Sequence, residues 1–307
     1  SGVDRLPGAT TASLTPHRRH SSTNVAQNVA WVLAAGVVTQ PSEHSGAARS
    51  HRRREDAGVP LHHTVHEGPG PTIALLHGFT QTEASWRPVV EHLAPRHRVI
   101  TVDLPGHGGS GAQRTDLAEA AAMVASTVGP DPAVVVGYSM GGRIGLRLAL
   151  DHPGSVARLL VVGATAGIDD PDARAARRRA DHELADRLDG ERDLDQFVAD
   201  WLAKPLFAGL VPHADDLAAR RANRPSDLAA ALRSMGTGTM DPPWWPDLGR
   251  LSMPVEVVWG QRDTKFAEIG RRLALAIGPN AATAEVAGAT HAAHLERPET
   301  FADLAVG

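Results

Sequence analysis

Cysteine is missing from all 307 residues. Its absence excludes disulfides, thiolate zinc sites and a cysteine nucleophile, and it leaves the redox compartment open. Neither sign of charge dominates: 31 basic residues stand against 35 acidic ones, a formal net charge of −4. That balance speaks against nucleic acid or an anionic membrane surface as a partner. Long apolar runs are missing too. The longest near the N-terminus, "VAWVLAAGVV" at 29–38, is about half of the ~20 residues that a bilayer span requires. The "HRRH" before it gives the segment the outline of a secretory leader, but a short apolar stretch in a tail is the better reading. The expectation is no membrane insertion and a cytoplasmic location.

What is present is enough for one large domain: 42% of the residues are hydrophobic, which allows a sizeable core. Residues 1–60 are rich in Ser, Thr, Gly, His and Arg and keep neither a period of 2 nor one of 3.6. They read as a disordered or non-native extension. From Pro71 onward, short aliphatic runs alternate with Ala-rich helical stretches: "TIALLHG", "HRVITVD", "AVVVGYS", "RLLVVGAT", "VEVVWGQRD" and "TAEVAG". Continuous apolar strands, each followed by a helix, predict an α/β fold with a mostly parallel sheet covered on both faces. The segments 61–165 and 247–307 form the predicted core. Between them, 166–246 is helical and charged, and is expected to be a cap over the C-terminal ends of the strands, where open α/β sheets bind ligands.

Gly137-Tyr138-Ser139-Met140-Gly141 fits G-x-S-x-G between an apolar strand and a helix-compatible stretch. Glycines there permit the tight strand-to-helix turn that lifts a serine hydroxyl to the sheet edge. A serine needs a base, and the base needs a carboxylate to fix its tautomer. Asp263 in "GQRD" and His291 after "AEVAGAT" follow in the order Ser, Asp, His, each at the end of a predicted strand. Asp169 and Asp170 are rival carboxylates, and His294 is a rival base. The backbone amides of Phe79, in "LLHGF", and Met140 could converge on a developing oxyanion. His77 and His107 read as hydrogen-bonded loop histidines, and no metal site is indicated.

"LHGF", "VDLPGHGGS", the serine elbow, "GQRD" and the terminal histidine together resemble the α/β-hydrolase superfamily over residues 71–307. That fold hosts many reactions, so positive charge near the serine carries the next step. Arg143 lies one turn beyond Ser139, Arg174, Arg177, Arg178 and Arg179 cluster in the cap, and Arg221 and Lys265 follow. Guanidinium groups suit carboxylates.

"GYSMGGR", "RRRAD", "FVADWLAKPLF", "MGTGTM" with "PWW", and "GQRDTKF" before "HAAH" closely resemble the 2-succinyl-6-hydroxy-2,4-cyclohexadiene-1-carboxylate synthase (MenH) family of menaquinone biosynthesis. The resemblance implies a lyase that eliminates pyruvate from 2-succinyl-5-enolpyruvyl-6-hydroxy-3-cyclohexene-1-carboxylate, a small polyanionic substrate, with no metal or organic cofactor. It implies Ser139 as general base, with His291 and Asp263 behind it. It also implies substrate contacts from Tyr138, Arg143, Arg177, Trp201, Arg221 and Lys265, with Arg174 and Arg178 as alternatives to Arg177. A carboxylesterase or C–C bond hydrolase with the same triad is the other enzymatic reading, and a ligand-binding protein on a catalytically dead fold is a third. Two features depart from the family: Thr290 stands where it more often has Gly, and the N-terminal tail has no counterpart.

Overall fold

The β-branched runs pair into one sheet in the computed structural model, which describes residues 60–307. The expectation for 1–60 lies outside the described residues, save for residue 60. The strands are β1 (His63–His66), β2 (Thr72–Leu76), β3 (Arg98–Val102), β4 (Ala133–Tyr138), β5 (Val156–Val162), β6 (Val255–Gly260) and β7 (Ala281–Val286). Their order across the sheet is β1-β3-β2-β4-β5-β6-β7, with β1 antiparallel to β3 and every other pairing parallel. Each of β2 to β7 falls on one of the sequence runs quoted above, with β5 and β7 each starting two residues before its run. β1, "HTVH", lacks an apolar run because its residues are only partly buried at the sheet edge.

The helices are α1 (Arg87–Leu93), α2 (Leu117–Val128), α3 (Met140–Asp151), α4 (Pro171–Asp189), α5 (Asp195–Leu202), α6 (Ala214–Arg221), α7 (Pro225–Met235), α8 (Thr264–Ile277), α9 (Ala293–Glu296) and α10 (Pro298–Val306). Side chains alternate across each strand. In β5, Leu159 and Val161 join the core shared with α2, α3 and α8, whereas Leu160 and Val162 join the one shared with α1, α9 and α10. Strands buried on both faces need apolar residues at every position, which is why these runs do not alternate with polar ones.

The chain from β5 to β6 carries α4 to α7 and closes its own small apolar cluster, including Leu188, Val198, Leu228 and Leu232. Asp170 starts α4 by accepting from the Ala173 amide at 2.7 Å, and Asp169 pairs with Arg272 at 2.6 Å. Both rival carboxylates are thus engaged away from His291. β2 has β3 on one side and β4 on the other, so the chain reverses its winding there. Such a switch point opens a crevice beyond the strand ends. Phe79 follows β2 and Ser139 follows β4. Among the described residues, no helix is long and apolar enough to cross a membrane.

Candidate active site

Ser139 sits between β4 and α3 with φ +52° and ψ −104°, a conformation that L-residues seldom adopt. Its neighbours make the turn feasible. A Cβ on Gly137 would lie 2.4 Å from the Gly141 carbonyl oxygen, and one on Gly141 would lie 2.2 Å from that of Leu76. Both positions therefore require glycine. The Ser139 amide donates to the Val162 carbonyl at 2.8 Å, and the Gly141 amide to that of His77 at 3.0 Å, which ties the elbow to its flanking strands.

His291 Nδ1–H donates to Asp263 Oδ2 at 2.6 Å, and both side chains are almost fully buried. The other oxygen, Asp263 Oδ1, accepts from the Phe266 amide at 3.2 Å at the start of α8. Asp263 thereby fixes the tautomer that leaves His291 Nε2 as the basic nitrogen. Gly163, with φ +55°, makes room for the ring: a Cβ there would fall 2.7 Å from His291 Cε1. The departure at Thr290 has a visible use. Its amide and hydroxyl both donate to Glu296 Oε2, at 2.6 and 2.8 Å, which anchors the residue before His291 to α9.

The remaining histidines have other partners. His77 Nδ1–H donates to the Gly78 carbonyl at 2.8 Å, and its Nε2 accepts from the Leu104 amide at 3.0 Å. His107 does the same between the Pro105 carbonyl, at 3.0 Å, and the Thr80 amide, at 3.2 Å. Burial lowers His77 to about 4 and His107 to about 3, so both are neutral loop fasteners. His294 lies among Trp86, Tyr138 and Phe301 and shares a hydrogen bond with Gln81 at 3.1 Å. Its pKa is also pushed down by burial. It has no contact with Asp263 that would make it the base.

Phe79, Ser139, Met140 and His291 line one cavity of about 120 Å³. Among the described residues, only Thr80 (φ +71°) and Ser139 (φ +52°) have positive φ without being glycine. They adjoin the two expected oxyanion donors, Phe79 and Met140. Non-glycine residues in this region are held by their surroundings, and they concentrate at functional sites.

Arg143, Arg177, Lys265 and Trp201 line the same cavity, and no carboxylate does. Arg143 is buried and also donates from Nη1 to the Met235 carbonyl at the end of α7. Burial, then the charge of Arg177, lowers Arg143 to about 10; the same two causes lower Lys265. Arg174 is turned to the Ile168 carbonyl and Asp241, at 2.7 and 3.0 Å. Arg178 is turned to the Gly238 carbonyl at 3.0 Å, and with Arg179 it borders a separate groove along α4.

Two expected contacts are absent from the cavity. Tyr138 packs with Val136 in the other core layer, its ring 5.2 Å from that of His291 and 4.3 Å from that of His294. The alternation of β4 sends it there, and that signal was available in the sequence. Arg221 pairs with Asp195 at 3.0 Å on an exposed face; its neighbour Arg220 turns inward instead. A residue that sequence reasoning passed over is Lys204, whose Nζ lies 3.7 Å from the centre of the Trp201 ring. Burial and then Arg177 and Arg187 lower it to about 8. Its i,i+3 spacing from Trp201 was the available signal.

Residues 73–304 match the model of the α/β hydrolase family. The 2-succinyl-6-hydroxy-2,4-cyclohexadiene-1-carboxylate synthase of Salmonella typhimurium (strain LT2) is 31% identical over 241 residues, covering 76% of this chain and 92% of its own. Among solved structures, MenH from S. aureus superposes with a TM-score of 0.74 at 28% identity, over 80% of this chain and 97% of that one. A thermophilic esterase from Thermogutta terrifontis, with malate bound, reaches 0.65 at 25% identity, over 80% and 90%. The chain belongs to the α/β hydrolase family and, within it, to the 2-succinyl-6-hydroxy-2,4-cyclohexadiene-1-carboxylate synthases of menaquinone biosynthesis.

Proposed function

We propose that this protein eliminates pyruvate from 2-succinyl-5-enolpyruvyl-6-hydroxy-3-cyclohexene-1-carboxylate to give 2-succinyl-6-hydroxy-2,4-cyclohexadiene-1-carboxylate. The observation that carries the reading is the placement of Arg143, Arg177 and Lys265 around one serine-bearing cavity without a lining carboxylate. Burial disfavours the charged forms of Arg143 and Lys265, and the nearby charge of Arg177 adds to that, so both pKa values are lowered. An anionic ligand counters both effects. The substrate brings three carboxylates, on the ring, the succinyl chain and the enolpyruvyl group; a neutral ester brings none.

The chemistry follows from the two ends of the cavity. Ser139 Oγ passes its proton to His291 Nε2 and takes the ring proton at C2, beside the succinyl ketone. Charge then develops on the ketone oxygen, where the Phe79 and Met140 amides stabilise it. The C2=C3 bond forms, the 3,4 double bond moves to C4=C5, and the C5–O bond breaks. Its electron pair leaves with enolpyruvate, which takes up a proton and becomes pyruvate. Asp263 stabilises the imidazolium formed meanwhile. No acyl-enzyme is required. The helices α4 to α7, which bring Arg177 and Trp201 to the cavity, act as its cap in this reading.

Pyruvate release from the enolpyruvyl substrate, followed against the spontaneous rate, tests the assignment. Release well above background is expected, and release at background contradicts it. The esterase neighbour from T. terrifontis favours a second reading, hydrolysis through an acyl-enzyme. Turnover of p-nitrophenyl esters far above that of the cyclohexene would establish that reading instead.

A further inference from the structure

We infer that Arg220 and Asn223 form a latch on Thr80 through which the helical segment between β5 and β6 positions the Phe79 oxyanion amide, an inference resting on the catalytic reading above. Thr80 is fully buried and follows Phe79 with φ +71°. A β-branched residue resists that conformation, so something must hold it. Every polar group of Thr80 is held. Its amide donates to His107 Nε2 at 3.2 Å, and its carbonyl accepts from Asn223 Nδ2 at 2.9 Å. Its hydroxyl oxygen accepts from Arg220 Nη1.

Arg220 is itself fixed. Its Nε donates to Asp216 Oδ2 at 2.7 Å, both side chains are at most 3% exposed, and Asp216 Oδ1 accepts from Ser85 Oγ at 2.5 Å. Desolvating an ion pair is expensive unless its hydrogen bonds are satisfied. Here the satisfied pair joins α6 to two points on the loop after β2. Asn223, just beyond α6, also accepts from the Gly108 amide at 2.8 Å. Release of the hydroxyl lets Thr80 relax towards negative φ and turns the 79–80 peptide, which shifts the Phe79 backbone. Arg220 touches no reacting atom; it is a positioning residue.

Thr80→Val removes the acceptor oxygen at constant shape, Thr80→Ser keeps it, and Arg220→Lys keeps the cation without the fork. Pyruvate release and p-nitrophenyl acetate hydrolysis are both measured, because an oxyanion amide serves either reaction. Thr80→Val and Arg220→Lys are each expected to lower kcat by at least ~10-fold with KM within about twofold, since a displaced donor weakens transition-state rather than ground-state contacts. Thr80→Ser retains about half of kcat or more, and the double variant is no worse than Arg220→Lys alone. Circular dichroism monitors folding, so a kcat loss that merely tracks loss of folded protein overturns the inference. A folded Thr80→Val protein with wild-type kcat overturns it as well. If the wild type hydrolyses the ester but releases no pyruvate, the lyase reading falls and the latch is judged on the ester. If it does neither, the Phe79 amide has no catalytic task and both fall.

Discussion

Arg177 Nε donates to Asp181 Oδ1 at 2.8 Å across one turn of α4, and the same guanidinium lines the Ser139 cavity. The pair has unequal surroundings: the Arg177 side chain is 41% exposed and that of Asp181 only 7%. Asp181 is therefore the half that suffers when the contact is lost.

Arg177→Ala removes a cation from the cavity and leaves the Asp181 carboxylate buried without its partner. An unsatisfied buried acceptor costs about 1–3 kcal/mol, a loss that urea unfolding detects, and the double variant Arg177→Ala/Asp181→Ala regains much of it. Turnover of the tricarboxylate falls further than that of a neutral ester. Equal falls would mark a folding defect rather than a lost carboxylate contact.

Gly163 faces the His291 ring. A methyl group there lies 2.7 Å from His291 Cε1 and 2.9 Å from Nδ1, at a φ of +55°. Gly163→Ala is expected to lower kcat by about 100-fold, the scale of a 1 Å misplacement in a catalytic group. Gly129→Ala is the control: φ there is also positive, +102°, but no atom lies within 4 Å of the added methyl. It strains the backbone and leaves kcat near that of the wild type.

The neutral loop histidines contribute to the acid limb of stability. His77 and His107 titrate near 4 and 3 when folded, against 6.5 for an ordinary histidine. Between those values the unfolded chain binds more protons than the folded one, so stability falls as pH drops below about 6.5 and continues to fall towards 4. His107→Gln retains an acceptor for the Thr80 amide without a titrating ring. Thermal unfolding between pH 7 and 4 should show a shallower decline for that variant; an identical slope would mean that His107 is not a source of it.

Much of this site was legible in the sequence, for reasons that differ between residues. The elbow is local, so "GYSMG" after a valine run carries its own geometry. Asp263 and His291 follow strand ends, which a parallel sheet gathers at one edge. Arg143 is fixed by its distance along α3 from Ser139. The segment between β5 and β6 is another matter: which of two adjacent arginines turns inward depends on how α6 docks, and "RRAN" does not encode that locally. Arg220 enters the core and Arg221 stays out with Asp195. The β1 strand escaped because an edge position needs no apolar run. Tyr138 is a reading that strand alternation could have corrected, since it shares a core layer with Val136.

The most direct test of the account is the rate of pyruvate release from the enolpyruvyl cyclohexene substrate by the wild type and by Ser139→Ala, measured side by side. Ser139 as the general base predicts rapid release by the first and a loss of at least ~100-fold in the second, with the fold intact. Wild-type release at the spontaneous rate, or a Ser139→Ala protein as fast as the wild type, would contradict it.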